Sequence, residues 1–562
     1  MSWIQTSRED PPAADLPDRT TRRDAADGER LGTQHHRPNR PLGRLFAPLH
    51  TLLLEGGDAR LKVDPASGLN AYGCLAFPCD AEAGFSSCTA TPISQRAFER
   101  AGRAWEELLQ SAIADGLEQA FEARMEAMRE ELKALLGLAQ SGAAVIFSAS
   151  GTDAQLQALF LTRELFGSAP TTIIVAADQT GSGTALTARG LHFADRTSNG
   201  NEVRKGEPVC SRTGAVSSVS LPLRDEKGDV RSEAACDKLV VDATERAIAA
   251  GGNVLLQVMD SSKLGWRLPS DRCVLDILAR WPGRVQVVVD ACQMRLSRKR
   301  IAAYLERGCL VLLTGSKYFT GPAFSGAMLV PAALSESIDA GGPMDLQLDE
   351  YCGRNDWPRR WPVLRAQFPG RPNYGLWLRW EAALEEMRAY YAIPDAFRHT
   401  ALATLGEGIA RLIAASPSLR LLPQQPDPAD SPIDDDELSL PTIFGFTLEP
   451  HGRAVSLERA RAVYRRLADD IRDSLVTDAP DIVAQSYLVG QPVGWQLADG
   501  SFVAALRICI GARHVTECWS ADAATAHRNL HAVLGRVAML IRKLDAQLDR
   551  QDTQRQELSH AH

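Results

Sequence analysis

Five short apolar runs restrict the fold of this chain more than any other feature: AAVIFS at 143–148, TIIVAA at 172–177, NVLLQVM at 253–259, RVQVVVD at 284–290 and LVLLT at 310–314. A strand with one wet face alternates apolar and polar residues. These runs do not alternate, so each must be covered on both sides, as in a mostly parallel sheet sandwiched by helices. Ahead of the first run, Phe98, Trp105, Leu108, Leu109, Ile113, Leu117, Phe121, Met125 and Met128 recur at helical spacing, which predicts one or two amphipathic helices over 95–136. The expected fold class is α/β.

A chain of 562 residues exceeds the roughly 250–300 residues at which single cores stop growing. Residues 1–42 are rich in Pro, Arg, Asp and Gly without hydrophobic periodicity and are expected to be disordered. A large domain is expected over 43–340, and an interdomain link with a helix at Leu376–Ala392 over 341–392. TIFGFTL, SLERARAVYRRLADDIRDSLV, FVAALRICI and a helix from Ser520 to about Leu548 then predict a smaller α+β domain over 393–550. PDPADSPIDDDEL at 426–438 reads as a polar loop, and 551–562 as a polar tail.

The formal charge of −8 is spread through the sequence and provides no basic face for a nucleic-acid backbone. No apolar run approaches the ~20 residues of a membrane span, and the first residues lack the apolar core of a secretory signal. Eleven cysteines without a CxxC pair fit buried small residues in a reducing compartment. A soluble, cytoplasmic protein without a structural metal is expected.

The segment 284–317 carries the chemistry. VQVVV ends at Asp290, Ser297 to Arg307 reads as a helix closed by Gly308, LVLL ends at Thr314, and Lys317 follows. This is a βαβ crossover, so Asp290 and Lys317 emerge together at the carboxyl ends of parallel strands, where open α/β sheets bind ligands. An aspartate and a lysine there are the two protein groups that pyridoxal phosphate (PLP) chemistry needs: the carboxylate pairs with the pyridine nitrogen, and the amine forms the internal aldimine and shuttles the proton. A phosphate site is available in FSASGTDAQLQALFLTRELF. There Ser150, Gly151 and Thr152 open a helix whose free N–H groups and dipole favour a dianion. Thr314 and Ser316, flanking Gly315, are expected to donate to the same phosphate.

With these residues the chain resembles the fold-type I PLP-dependent enzymes, in particular the class V aminotransferase group that includes cysteine desulfurases and kynureninase. SGTDA is similar to that group's phosphate turn, DACQ to its D-x-A-Q signature and TGSK to its lysine motif; the likeness spans about residues 65–550. It implies that Asp290 pairs with the ring nitrogen, that Gln293 bonds the phenolic oxygen and that Lys317 is the Schiff-base lysine. ALRICIG resembles the group's late arginine strand, implying Arg507 as the clamp on a substrate α-carboxylate. GRPNYG at 370–375 resembles the part that reaches a neighbouring subunit's phosphate, which implies a homodimer. Where the group commonly stacks a histidine on the cofactor ring, this chain has Gln179 and Thr180. Gln179 is grouped with the cofactor-binding residues, and His192 lies further along.

Lys263, in VMDSSKLGW, reads as a solvated loop lysine. Cys352, in DEYCGRND, lacks the pattern of a desulfurase cysteine. Cys74, Cys79 and Cys88 sit in a Gly/Ser-rich segment of the kind that often lines a substrate entrance in this fold, although buried packing is the expected role of their thiols. The expectation is a PLP-dependent enzyme acting on an amino acid or related amine, transamination leading. A lyase, decarboxylase or C–C bond-forming enzyme would use the same residues. A non-catalytic binding module ranks lower, and a nicotinamide oxidoreductase lowest, because the first strand lacks a G-x-G-x-x-G turn.

Overall fold

The computed structural model describes residues 46–79, 82–211, 214–341, 344–425, 431–433, 439–472, 484–497 and 499–560. The segment 1–42, expected to be disordered, and most of the loop 426–438 lie outside the described residues. Ala47–His562 form one compact unit.

Its strands, in chain order, are β1 (Glu82–Phe85), β2 (Ala144–Ser148), β3 (Thr171–Val175), β4 (Ser218–Leu221), β5 (Val254–Met259), β6 (Val285–Asp290), β7 (Leu310–Thr314), β8 (Gly326–Val330), β9 (Leu419–Leu421), β10 (Ile443–Leu448), β11 (Ser486–Gln496) and β12 (Phe502–Cys509). They form a seven-stranded sheet in the order β2-β8-β7-β6-β5-β3-β4 and a five-stranded sheet in the order β1-β11-β12-β10-β9. In the larger sheet β3 to β7 are parallel, and β8 alone is reversed, antiparallel to both β2 and β7. Every residue of β2, β5, β7 and β8 is buried, which is what strands covered on both faces require. The smaller sheet is antiparallel except where β1 joins β11 in parallel. The two-part α/β architecture expected from the sequence is present.

The region 95–136 forms two helices, Gln95–Asp115 and Leu117–Leu135, broken at Gly116, whose φ of 81° interrupts the helix at little cost only for glycine. Both pack against the helix Tyr374–Tyr391, where Trp105, Phe121, Tyr374 and Trp377 meet edge to face or tilted. Trp380 of the same helix donates its indole N–H to the Gly326 carbonyl at 3.0 Å, fastening the helix to β8. Ser94, Ser150, Ser232, Ser270, Ser297 and Ser456 each cap a helix by accepting a backbone N–H, worth about 1 kcal/mol apiece. The last helix runs Ala523–His560, past the expected end near Leu548.

Candidate active site

The carboxyl ends of β5, β6 and β7 open on one cavity of about 500 Å³. Asp290 ends β6, and Lys317 follows β7 in the tie back to β8. That tie is short and cross-braced. Gly315 donates its N–H to the Ser325 carbonyl, Gly321 to that of Gly315, and Thr320 to that of Lys317. Gly315 is required because a Cβ there would lie 2.5 Å from Ala383 Cβ. The Lys317 side chain makes no ion pair with a carboxylate among the described residues.

Asp290 accepts hydrogen bonds from Gln155 Nε2 at 3.2 Å and from the Cys292 N–H at 3.1 Å, so neutral donors orient its carboxylate toward the cavity. Gln155 in turn accepts from Thr187 Oγ1 at 2.8 Å. Ser150 caps the helix Gly151–Phe166 and also donates to Asp153. Burial raises the Asp153 carboxyl to about 6. A Cβ on Gly151 would lie 2.5 Å from Cys292 Sγ, so only glycine lets this turn approach β6 so closely. Arg60, held by Asp58 through Nε and Nη2, lines the same cavity.

All the site residues expected from the sequence line this cavity: Ser150, Gly151, Thr152, Gln179, Asp290, Gln293, Thr314, Ser316, Lys317 and Arg507. Two have commitments the sequence did not reveal. The Thr314 hydroxyl donates to the Cys292 carbonyl at 2.8 Å, so its proton goes there and not to a phosphate as expected. Gln293 donates to the Cys88 carbonyl at 3.1 Å and accepts from Arg295 at 3.2 Å, leaving one amide hydrogen for a ligand. Gln179 is buried, and its Oε1 has no hydrogen-bond partner.

His192 is absent from the cavity wall. It bonds the Tyr351 hydroxyl at 2.8 Å in a separate buried cluster. Cys352 lies in the core, where its sulfur accepts from Gln157. In the segment 370–375, Asn373 caps the helix Tyr374–Tyr391 and donates to the Gly56 carbonyl at 3.2 Å.

The expectation for Lys263 is corrected. Lys263 is not a solvated loop lysine: it lines the cavity at the end of β5. Burial, then Arg507 and Lys317, lower its ammonium to about 8. Its loop is rigid, since Ser262 Oγ accepts from the N–H groups of Leu264 and Trp266, and Met259 and Leu268 exchange backbone bonds. Cys88 packs as expected, buried in a small cluster with Ile443 and Cys509, and its segment also lines the cavity. Burial opposes ionisation of its thiol, yet a hydrogen bond from Cys509 with the charges of Arg507 and Arg295 carries its pKa downward. Gln155 and Arg60 escaped sequence reading altogether. Gln155 could have been found as the inward residue one turn into the phosphate helix; nothing around Arg60 signals its role.

The arrangement offers a helix start and hydroxyls for a phosphate, a carboxylate and an amine lining one cavity at the ends of adjacent strands, and a guanidinium from the smaller sheet. This donor set fits a phosphorylated heteroaromatic ligand. Of the described residues, no helix is long and apolar enough to cross a membrane.

No protein-family model and no curated protein sequence matches this chain. Similar solved structures include a NifS-like protein (14% identity, TM-score 0.45, covering 81% of this chain and 98% of that one). Another is a complex of the cystine C–S lyase C-DES with its reaction product cysteine persulfide (14%, TM-score 0.44, 81% and 97%). A third is Oryza sativa TDC with PLP and tryptamine (15%, TM-score 0.46, 83% and 84%). At these identities and scores the likeness assigns no chemistry to this chain.

Proposed function

We propose that this chain is a PLP-dependent enzyme of fold type I acting on an amino acid, with transamination as its reaction. The observation that carries the reading is the meeting of Lys317, Asp290 and the Ser150–Gly151–Thr152 helix start on one cavity. Three separate segments supply the amine, the carboxylate and the anion site that this cofactor requires. When bound, PLP supplies an electron sink for a carbanion at the substrate's α-carbon.

The chain's own residues divide the remaining work. The helix start holds the phosphate with backbone N–H groups. Asp290, steadied by Gln155 and the Cys292 N–H, would hold a proton at the pyridine nitrogen. The remaining amide hydrogen of Gln293 serves the phenolic oxygen. Lys317 Nζ would hold the cofactor and would move the proton at the substrate's α-carbon, a role suited to an amine without a carboxylate partner among the described residues. Arg507 takes the α-carboxylate. From the sequence resemblance we also infer a homodimer, to be checked by light scattering, and from the eleven cysteines without a CxxC pair a cytoplasmic location.

The test is the absorption spectrum of the purified protein between about 300 and 550 nm with added PLP, before and after borohydride, beside Lys317→Ala. A visible band that borohydride removes, absent from the variant, is expected; no band in the wild type would refute the reading. Amino-group transfer to a 2-oxo acid, against release of carbon dioxide or a β-substituent, then separates transamination from the lyase and decarboxylase alternatives.

A further inference from the structure

Away from the phosphate turn, the cavity is lined by Lys263 and Arg507. Arg507 is 3% exposed. Its guanidinium donates to the Lys263 carbonyl at 3.2 Å, to Thr89 Oγ1 at 3.2 Å and to the Gln491 carbonyl, while its buried Nε has no partner. Neither cation forms an ion pair with a carboxylate among the described residues.

Other buried cations in this molecule show what a purely structural role looks like. Arg300 is paired with Asp260 and Asp271. Arg379 is surrounded by the carbonyls of Phe324, Leu53, Glu55 and Gly56, and Lys543 by those of Leu467, Asp469 and Gln485. The Lys263 ammonium has neither arrangement. Its neighbourhood also includes Arg295, buried behind the wall and bonded, among the described residues, to neutral partners. The carboxylates on the same cavity, Asp178 and Asp290, form no ion pair with these three cations among the described residues, and the acidic group that acts on Lys263 is the Cys88 thiol, so this end is short of compensating negative charge. Uncompensated buried charge is costly, and a ligand that brings anions relieves it.

Resting on the PLP reading above, we propose that Lys263 binds a second anionic group of the substrate, so that the substrate class is an amino acid carrying an acidic group beyond its α-carboxylate. Because the Arg507 guanidinium rests on the carbonyl of Lys263 itself, the two cations lie within one side chain's reach. The substrate's two anions must therefore be close together, as in aspartate, glutamate or cysteate. Lys263 is here a specificity-determining residue, and Lys317 remains the residue that handles the proton.

The test is isothermal titration of the PLP-treated protein with succinate and with its monoamide succinamate, in the wild type, Lys263→Met and Lys263→Arg. The absorption spectrum of each sample is recorded alongside. One additional charge-assisted contact predicts at least about tenfold tighter binding of the dianion to the wild type. The preference should shrink to about twofold or less in Lys263→Met and survive in Lys263→Arg. If Lys263→Met does not fold, Lys263→Gln carries the same expectation. Equal binding of the two ligands by the wild type, or a preference that persists without the lysine, overturns the proposal. A visible band without the preference refutes the second-anion site and leaves the cofactor reading standing; the preference without a band does the reverse.

Discussion

The two ends of the cavity are built in opposite ways. The phosphate end is backbone: a glycine turn, a serine cap and the first N–H groups of one helix, all from consecutive residues. The cation end is side chain: Lys263 after β5, Arg507 on β12 and Thr89 after β1. Backbone donors persist through most substitutions and recognise only charge and size. Side-chain cations can be exchanged one at a time, so substrate choice can change at one end while cofactor retention at the other stays intact.

The comparison breaks most visibly if the cation end loses its support. Asp260, just beyond β5, accepts from Arg300 Nε at 2.9 Å, and Arg300 also pairs with Asp271, all three being buried. Arg300→Ala takes the ion pair from Asp271 and leaves Asp260 with the longer Arg267 contact at 3.4 Å, and a loss of about 3–5 kcal/mol is expected in urea unfolding. A change below 1 kcal/mol would mean that this end needs no such support.

At the phosphate end, Gly151→Ala drives a Cβ to 2.5 Å from Cys292 Sγ. An overpacking cost of about 1–3 kcal/mol should appear as weaker PLP binding in a spectral titration, with the succinate preference unchanged. Lys263 sharpens the contrast through pH. Its ammonium is lowered from 10.5 to about 8, so between those values the folded chain has released a proton that the unfolded chain still holds. The associated penalty is complete below pH 8 and is relieved as pH rises to 10.5. Wild-type stability should therefore fall relative to Lys263→Met as pH drops from 10.5 toward 8, which thermal unfolding at pH 7.5 and 10 measures as a gap in the variant's favour that closes at the higher pH. The smallest effect is expected from Ser150→Ala, about 1 kcal/mol, read as a modest loss of PLP affinity.

Legibility in the sequence follows the same division. Residues adjacent in the chain, such as Ser150–Gly151–Thr152, carry a local pattern and could be read directly. The five apolar runs were legible because burial on both faces removes the polar alternation. By contrast, β1 has only four residues, and β11 is interrupted by Gly490-Gln491-Pro492 and a register shift between Gly490 and Val493. Lys263 was misread because a lysine after a strand looks the same whether it meets solvent or a cavity. The strand order decides the matter, since β5 and β7 flank β6 and their carboxyl ends share one crevice. Arg60 and Gln491 arrive from distant segments and leave no local trace.

The reversal of β8 has a kinetic meaning. A parallel successor to β7 would need a crossover of a dozen or more residues, whereas the antiparallel one is reached through residues 315–325, cross-braced by the Gly315, Thr320 and Gly321 N–H groups. Lys317 is thus suspended from both ends on a short span. On the proposed reading, an amine held this way would stay beside the reacting carbon at a high effective concentration, so that its return of a proton would behave as an intramolecular event.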